Sequence, residues 1–275
     1  ESHSPRGRNQ LVRMILEGKL KDPKAAEEAL STCLLCGACQ TACYAHVSVP
    51  DLVLEGRRAL RDRPHWLVRA ATRLLVDRPA LFDRLMRLAF VLKKLRLSAL
   101  GRPVLRWIGL GGLAVADSHL ENPPLTFLRE RLAARPSPAS PKRLYFSACG
   151  PNYLFPEVGE STVAALESLE GPVAPLKAGC CGLLSFNYGE LEDARILARR
   201  VIEAAEQVVE SPIVADCSSC VAFLKSYPQL FLHDPVWLPR AEKFAARVKD
   251  AVEELNRKLP EVAGDETATF HESCR

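Results

Sequence analysis

The first hundred residues show the spacing of apolar side chains that is typical of α-helices. Ser4-Pro5 and Asp22-Pro23 each combine a helix-capping residue with a proline at the first helical position, and Pro50 opens a further helix. From residue 65 to 100 apolar residues recur every three or four positions, with a break at residues 78–79. They are Leu67, Ala71, Leu74, Leu75, Leu81, Leu85, Leu88 and Leu92. The pattern predicts an all-helical segment whose apolar face packs on the chain's own domains.

Beyond residue 143 the pattern changes to short apolar runs that alternate with helical stretches. The predicted strands are Leu144–Phe146, Val173–Leu176, Pro212–Ala215 and Ala268–Phe270. The predicted helices are Pro156–Leu169, Glu190–Val209 and Ala241–Leu259. Strands that alternate with helices indicate an α/β domain with a largely parallel sheet. The predicted fold class is therefore mainly α with α/β.

The changes of pattern also predict the domain organisation. The Pro/Ser-rich stretch "RPSPASPKR" at residues 135–143 is the best candidate for a linker. We expect a partial helical domain over residues 1–64 and a helical connecting region over 65–134. After the linker, a cysteine-rich α/β domain is expected over 144–263, and residues 264–275 begin a further unit.

Composition and charge limit the class of protein. Hydrophobic residues make up 48% of the chain and charged residues 25%, which is typical of soluble globular proteins. No apolar stretch approaches the ~20 residues that a membrane span needs, and the first ten residues lack the apolar core of a signal peptide. We therefore expect a cytoplasmic protein, with no nucleic-acid partner.

The charge is distributed unevenly along the chain. Residues 1–110 contain 20 Lys/Arg and 10 Asp/Glu, whereas residues 111–275 contain 17 and 23. Two domains with differently charged solvated faces would explain this difference. A basic front half that meets an acidic partner or anionic lipid would explain it equally well, so both interpretations stay open.

Four cysteines lie within eleven residues in the first half of the chain. They are Cys33, Cys36, Cys39 and Cys43, with the spacing C-x2-C-x2-C-x3-C. This spacing is typical of ligands to [4Fe-4S] cubanes, in which the fourth cysteine commonly ligates a second cluster. Zinc sites generally use two separated pairs instead. One departure is Tyr44, which stands where bacterial ferredoxins usually have proline.

Counting thiolates leaves this first set incomplete. If Cys33, Cys36 and Cys39 hold one cubane, that cubane needs a fourth thiolate. If Cys43 serves another cubane, three more are needed, and no cysteine precedes residue 33. We therefore expect a second such motif upstream of Glu1, in a longer natural chain.

Five cysteines in the second half follow the predicted strands. They are Cys149, Cys180, Cys181, Cys217 and Cys220. The carboxyl ends of parallel strands lie along one edge of a sheet, so the five thiols should converge. Five exceed what one zinc ion needs, which favours a shared metal centre or cluster, and the flanking Gly179 and Gly182 should let the backbone approach it closely.

At this point the pattern resembles a known family. "AGCCG" at residues 178–182 and "CSSCVAFLKSY" at 217–227 are similar to the cysteine-rich CCG domain. This domain occurs in heterodisulfide reductase subunits and in iron-sulfur subunits of glycolate and lactate dehydrogenases. "SPRGRNQLVRMILEG" at residues 4–18 and "CLLCGACQTAC" at 33–43 resemble more closely the glycolate oxidase iron-sulfur subunits. The final "FHESC", with Cys274, resembles the entry to a second CCG unit.

The resemblance implies an electron-transfer subunit. Its partners would be an FAD-containing 2-hydroxy-acid dehydrogenase and a quinone or other acceptor, with peripheral attachment to the inner face of the cell membrane left open. The first set would hold a cubane [4Fe-4S] cluster and the CCG set a cubane or non-cubane one. Because all five CCG cysteines are present, thiol-disulfide chemistry like that of heterodisulfide reductase is an alternative. A zinc-stabilised interaction protein is a third.

Overall fold

The structure, a computed structural model, describes residues 1–60, 66–208 and 210–257. The chain divides into two compact units. The described parts of residues 1–69 and 183–194 form the first unit, and those of residues 70–182 and 195–262 form the second.

The described helices and strands follow one another in chain order. Before the linker they are α1 (Pro5–Leu16), α2 (Pro23–Ser31), α3 (Ala38–Thr41), α4 (Val49–Leu60), α5 (Trp66–Asp77), α6 (Pro79–Lys94), α7 (Ser98–Trp107), α8 (Gly111–His119) and α9 (Leu128–Ala133). After it they are β1 (Arg143–Tyr145), α10 (Cys149–Tyr153), α11 (Pro156–Glu170), β2 (Val173–Pro175), α12 (Leu183–Asn187), α13 (Leu191–Glu206), β3 (Ile213–Ala215), α14 (Ser218–Lys225), α15 (Tyr227–Leu230), α16 (Trp237–Arg247), β4 (Val248–Asp250) and α17 (Ala251–Asn256).

Local capping fixes the helix starts that the sequence predicted in the first unit. The hydroxyl of Ser4 accepts a hydrogen bond from the backbone N–H of Gly7 at 3.0 Å. The carboxylate of Asp22 accepts from the N–H of Lys24 at 3.0 Å. Both contacts satisfy amides at a helix N-terminus that would otherwise lack a partner, and both predicted starts are confirmed.

The core of the first unit lies between α1, α2 and α4. It contains the buried residues Val12, Leu30, Leu35, Val49, Val53 and Leu54, with Cys33, Cys39 and Phe186 among the residues packed against it. The guanidinium of Arg57 donates to the carbonyls of Leu30 and Cys33, both at 2.7 Å. This contact satisfies carbonyls at the end of α2 and fixes the start of the first cysteine set.

The second unit is built on a four-stranded sheet with the order β2-β1-β3-β4. All three pairings are parallel; Leu144 lies opposite Ala174 on one side and Ile213 on the other. One hydrophobic core packs on this sheet: Leu128, Leu132, Tyr145, Val163, Leu166, Val173, Val214 and Ala251. The predicted fold class, mainly α with a parallel α/β domain, is confirmed.

One element of the prediction is wrong. The segment 241–259 was predicted as a single helix, but β4 interrupts it and pairs with β3. Phe244, Val248, Ala251 and Leu255 are spaced as in a helix, so the apolar pattern does not show the break. The carboxylate of Asp250 caps α17 by accepting a hydrogen bond from the N–H of Val252 at 2.9 Å. This capping residue is the local sign of a new helix start within the apolar pattern. The predicted strand at 268–270 lies outside the described residues.

Helix α6 has two apolar faces, and they differ in burial. Phe82, Met86 and Phe90 belong to a cluster with Phe127 and Tyr153. The neighbouring stripe of Leu81, Leu85, Leu88 and Leu92 is 37–55% exposed. Within the described residues, this stripe is therefore not the packing face that the sequence predicted. No helix in the described ranges is long and apolar enough to cross a membrane.

Candidate functional site

The carboxyl ends of three parallel strands carry the second cysteine set. Cys149 follows β1 and opens α10, Cys180 and Cys181 lie in the loop after β2, and Cys217 follows β3 as the residue that precedes α14. Cys220 lies in the first turn of α14. Because neighbouring strands are only ~4.8 Å apart, side chains that follow their ends share one edge of the sheet.

The five thiols form a connected chain of sulfurs. The Sγ atoms of Cys149 and Cys180 are 3.7 Å apart, and those of Cys181 and Cys220 are 3.4 Å apart. The pKa of Cys180 also responds to Cys181, and the pKa of Cys217 to Cys220, so these thiols lie close together as well. The structure thus brings together the five cysteines that the sequence placed at one site; their role as ligands remains a prediction.

Burial differs among the five thiols. Cys180, Cys181 and Cys220 are 3–6% exposed, whereas Cys149 and Cys217 are half-buried. The loop that carries the adjacent pair ends at Gly182, whose φ of 92° lies in the left-handed region that favours glycine. The N–H of Gly182 donates to Cys180 Sγ at 3.5 Å. At Gly179, by contrast, a Cβ would contact nothing within 4 Å in the described chain, so sterics do not require glycine there.

The thiols are not equivalent in protonation. A hydrogen bond from Cys149 lowers the pKa of Cys180, and a hydrogen bond from Cys220 lowers the pKa of Cys217 to about 6. The pKa of Cys149 is raised by its hydrogen bond to Cys180. The pKa of Cys181 is raised by its interactions with Cys180 and Cys220. The site therefore combines thiolate acceptors with thiol donors, and binding a metal group to all five would release protons.

Two side chains that sequence reasoning missed hold the backbone of this site. The buried Tyr227 donates its hydroxyl hydrogen to the carbonyl oxygen of Cys181 at 2.7 Å. Arg129, in the first turn of α9, donates from Nη2 to the carbonyls of Ser147 at 3.1 Å and Gly179 at 3.0 Å. Tyr227 closes the "CSSCVAFLKSY" segment, so a signal existed for it; no sequence pattern pointed to Arg129.

The first cysteine set has a different geometry. Its four members are all half-buried, and no thiol-thiol hydrogen bond joins them within the described residues. The loop between Cys33 and Cys39 turns through left-handed backbone at Leu35 (φ 56°) and Gly37 (φ 76°). Backbone N–H groups, first that of Val47 and then that of Ala45, donate to Cys43 Sγ and lower its pKa. A lowered pKa favours the thiolate of Cys43, the form that binds metal.

Two of the distances between the CCG-type thiols are those of ligands on a metal. Among the described residues, no group of three or more His, Cys, Asp or Glu side chains is already arranged to hold a metal ion. Two thiolates on one tetrahedral metal with bonds of about 2.3 Å would lie roughly 3.8 Å apart, close to the spacing of both measured pairs. The buried atoms Ser147 Oγ and Arg129 Nε have no hydrogen-bond partner among the described residues. The sulfides of a cluster would supply acceptors of the kind that these donors lack.

Comparison with known proteins agrees with this geometry. The family profile of the CCG cysteine-rich domain matches residues 143–225, the segment that carries all five converging thiols. Residues 143–225 therefore form a CCG cysteine-rich domain. This finding confirms the resemblance inferred from the sequence. Cys274, the expected start of a second CCG unit, lies outside the described residues.

Several curated proteins are similar to the chain. The chain is 38% identical over 144 residues to lactate utilization protein A of Exiguobacterium sp., an alignment covering 49% of the chain and 57% of the relative. It is 28% identical to the glycolate oxidase iron-sulfur subunit of Escherichia coli strain K12. It is also 28% identical to the probable glycolate oxidase iron-sulfur subunit of Bacillus subtilis strain 168. These last two alignments cover 100% of the chain and 65% of each relative. No solved structure matches the chain.

Proposed function

We propose that this chain is part of an iron-sulfur subunit that carries electrons away from a flavoprotein which oxidises a 2-hydroxy acid. The observation that carries the proposal is the convergence of Cys149, Cys180, Cys181, Cys217 and Cys220 at one edge of the sheet. The names of the relatives, glycolate oxidase iron-sulfur subunit and lactate utilization protein A, supply the class of substrate. The chain spans 57–65% of these relatives' lengths, so the activity and partners of a whole subunit are part of the proposal.

The electrons and protons of the proposed reaction balance between the flavoprotein and a quinone. The flavoprotein removes two electrons and two protons from the hydroxy acid and forms the 2-oxo acid. The electrons then pass singly through this subunit to a quinone, which takes up two electrons and two protons to give the quinol. An iron-sulfur cluster bound at each cysteine set would supply a one-electron donor and acceptor. The residues of this chain would hold the ligands in place, exclude water from Cys180 and Cys181, and lower the pKa of Cys43.

Anaerobic purification of the natural full-length protein tests the proposal. We expect iron and labile sulfide, and cluster signals in EPR that appear when a 2-hydroxy acid and the flavoprotein are both added. A quinone should then reoxidise them, and omission of the flavoprotein is the control. Zinc without iron or sulfide would contradict the proposal and favour an interaction protein. Disulfide reduction by the subunit without the flavoprotein would favour heterodisulfide-type chemistry instead.

A peripheral position on an anionic membrane surface would suit a quinone acceptor, and the surface of α6 and α7 favours it. Residues 79–107 contain seven Lys/Arg and one Asp. Four of these cations, Arg84, Lys94, Arg96 and Arg106, are exposed and form no ion pair with the described residues. Leu100 and Trp107 are 76% and 87% exposed. Cations beside exposed leucine and tryptophan are typical of helices that bind at a lipid headgroup layer.

Co-sedimentation with vesicles tests this position. We expect the full-length protein to bind vesicles of phosphatidylglycerol, to bind pure phosphatidylcholine at least about tenfold more weakly, and to dissociate as salt screens the charges. The double variant Leu100→Ser/Trp107→Ser should weaken binding, whereas Leu232→Ser, at a residue 60% exposed elsewhere, should not. Binding that ignores lipid charge would contradict the proposal. If the double variant instead keeps its binding to vesicles and loses its binding to the flavoprotein, the surface is a protein interface.

A further inference from the structure

The position of Arg129 beside the cysteine site suggests more than packing. Its helix, α9, is fixed by Leu128 and Leu132, which are both buried in the core of the second unit. Its backbone N–H donates to Oδ1 of Asn152 at 3.0 Å, and Asn152 is 1% exposed. The start of the side chain is thus held rigidly, and the guanidinium position is set by the fold.

The guanidinium contacts the backbone directly ahead of two predicted ligands. Ser147, whose carbonyl accepts from Arg129 Nη2, lies two residues before Cys149. Gly179, whose carbonyl accepts from the same nitrogen, directly precedes Cys180. One side chain therefore connects the loop after β1 to the loop after β2, and it places a positive charge that acts on both thiols.

No carboxylate among the described residues forms an ion pair with Arg129. A cation that is held by carbonyl dipoles alone needs a negative charge nearby to offset its desolvation. Its Nε atom is buried and has no hydrogen-bond partner in the described chain. The groups on which its charge acts include the thiols of Cys149 and Cys180, which become negative as thiolates or as ligands of a cluster.

We propose that Arg129 is the counter-charge of the CCG cluster and sets its reduction potential. This inference rests on the proposed function, because it requires an iron-sulfur cluster at the five thiols. Reduction adds one negative charge to the cluster, so a fixed cation stabilises the reduced state and raises the potential. Arg129 acts as a positioning residue: it holds the loops of Cys149 and Cys180 and places its charge between them.

Potentiometric EPR titration of the full-length protein and its variants tests the inference. In Arg129→Gln we expect the reduction potential of the CCG cluster to fall, with the equilibrium for reduction weakened about tenfold, or 59 mV for one electron. Arg129→Lys keeps the charge and should restore most of the potential, although it loses the planar fork that reaches both carbonyls. Arg131→Gln is the matched control, since Arg131 lies on the same helix but pairs with Glu160 at 2.9 Å. The cluster at the first cysteine set should keep its potential in all three variants.

The outcomes separate the inference from the proposed function. A cluster potential in Arg129→Gln equal to that of the wild type overturns the inference alone. Arg129 then only holds the two loops together through its hydrogen bonds to Ser147 and Gly179. If Arg129→Gln does not assemble the cluster, Arg129→Lys decides: a potential near that of the wild type supports the counter-charge, and a tenfold weaker reduction contradicts it. A wild-type protein without iron and sulfide at this site overturns the proposed function and the inference with it.

Discussion

Replacement of Cys181 by serine should remove the metal group of the CCG site while the chain stays folded. Cys181 is the central thiol of the five, since it contacts Cys180 on one side and Cys220 at 3.4 Å on the other. Loss of a residue that hydrogen-bonds to a metal ligand typically costs 10–100-fold in metal affinity. We expect loss of a ligand itself to cost more. The fold should persist because the sheet has its own core, which contains none of these cysteines.

Iron and sulfide analysis with EPR measures this effect, and circular dichroism checks the fold. Ala178→Ser is a suitable control, because it adds a hydroxyl group three residues earlier without removing a thiol. The iron at the first cysteine set should be unchanged in both variants. Full retention of iron at the CCG site in Cys181→Ser would show that this thiol is not a ligand. Global unfolding of the variant would show that the site contributes to the core.

Much of the architecture could be predicted because its signals are local. The capping residues Ser4 and Asp22 predict the starts of α1 and α2. The apolar runs before Cys149, Cys180 and Cys217 form β1, β2 and β3. Their parallel order then explains why thiols more than thirty residues apart meet. The convergence therefore follows from strand pattern and topology without any knowledge of side-chain contacts.

The features that could not be predicted depend on contacts distant in sequence. β4 forms because Val248 finds Ile213 as a partner, and this pairing overrides a helical pattern. Arg129 reaches Gly179 across fifty residues, and nothing near Arg129 in the sequence marks it. The leucine stripe of α6 matches a core pattern but lies beside the face that is buried. Periodicity indicates that a face is apolar, but it does not reveal what covers that face.

The two glycines around the paired cysteines should respond differently to alanine. Gly182 has a φ of 92°, where a Cβ crowds the backbone, so Gly182→Ala should lower the free energy of unfolding by about 1–3 kcal/mol. The strain would also move the N–H that donates to Cys180 Sγ, and the site should bind less iron. Gly179→Ala is the matched control for stability, since a Cβ there meets nothing within 4 Å and its φ is not left-handed. Urea unfolding of the metal-free chains measures both. Equal loss of stability in the two variants would mean that the loop requires glycine at 179 as well, as the sequence had suggested, and that the strain at Gly182 is not what distinguishes them.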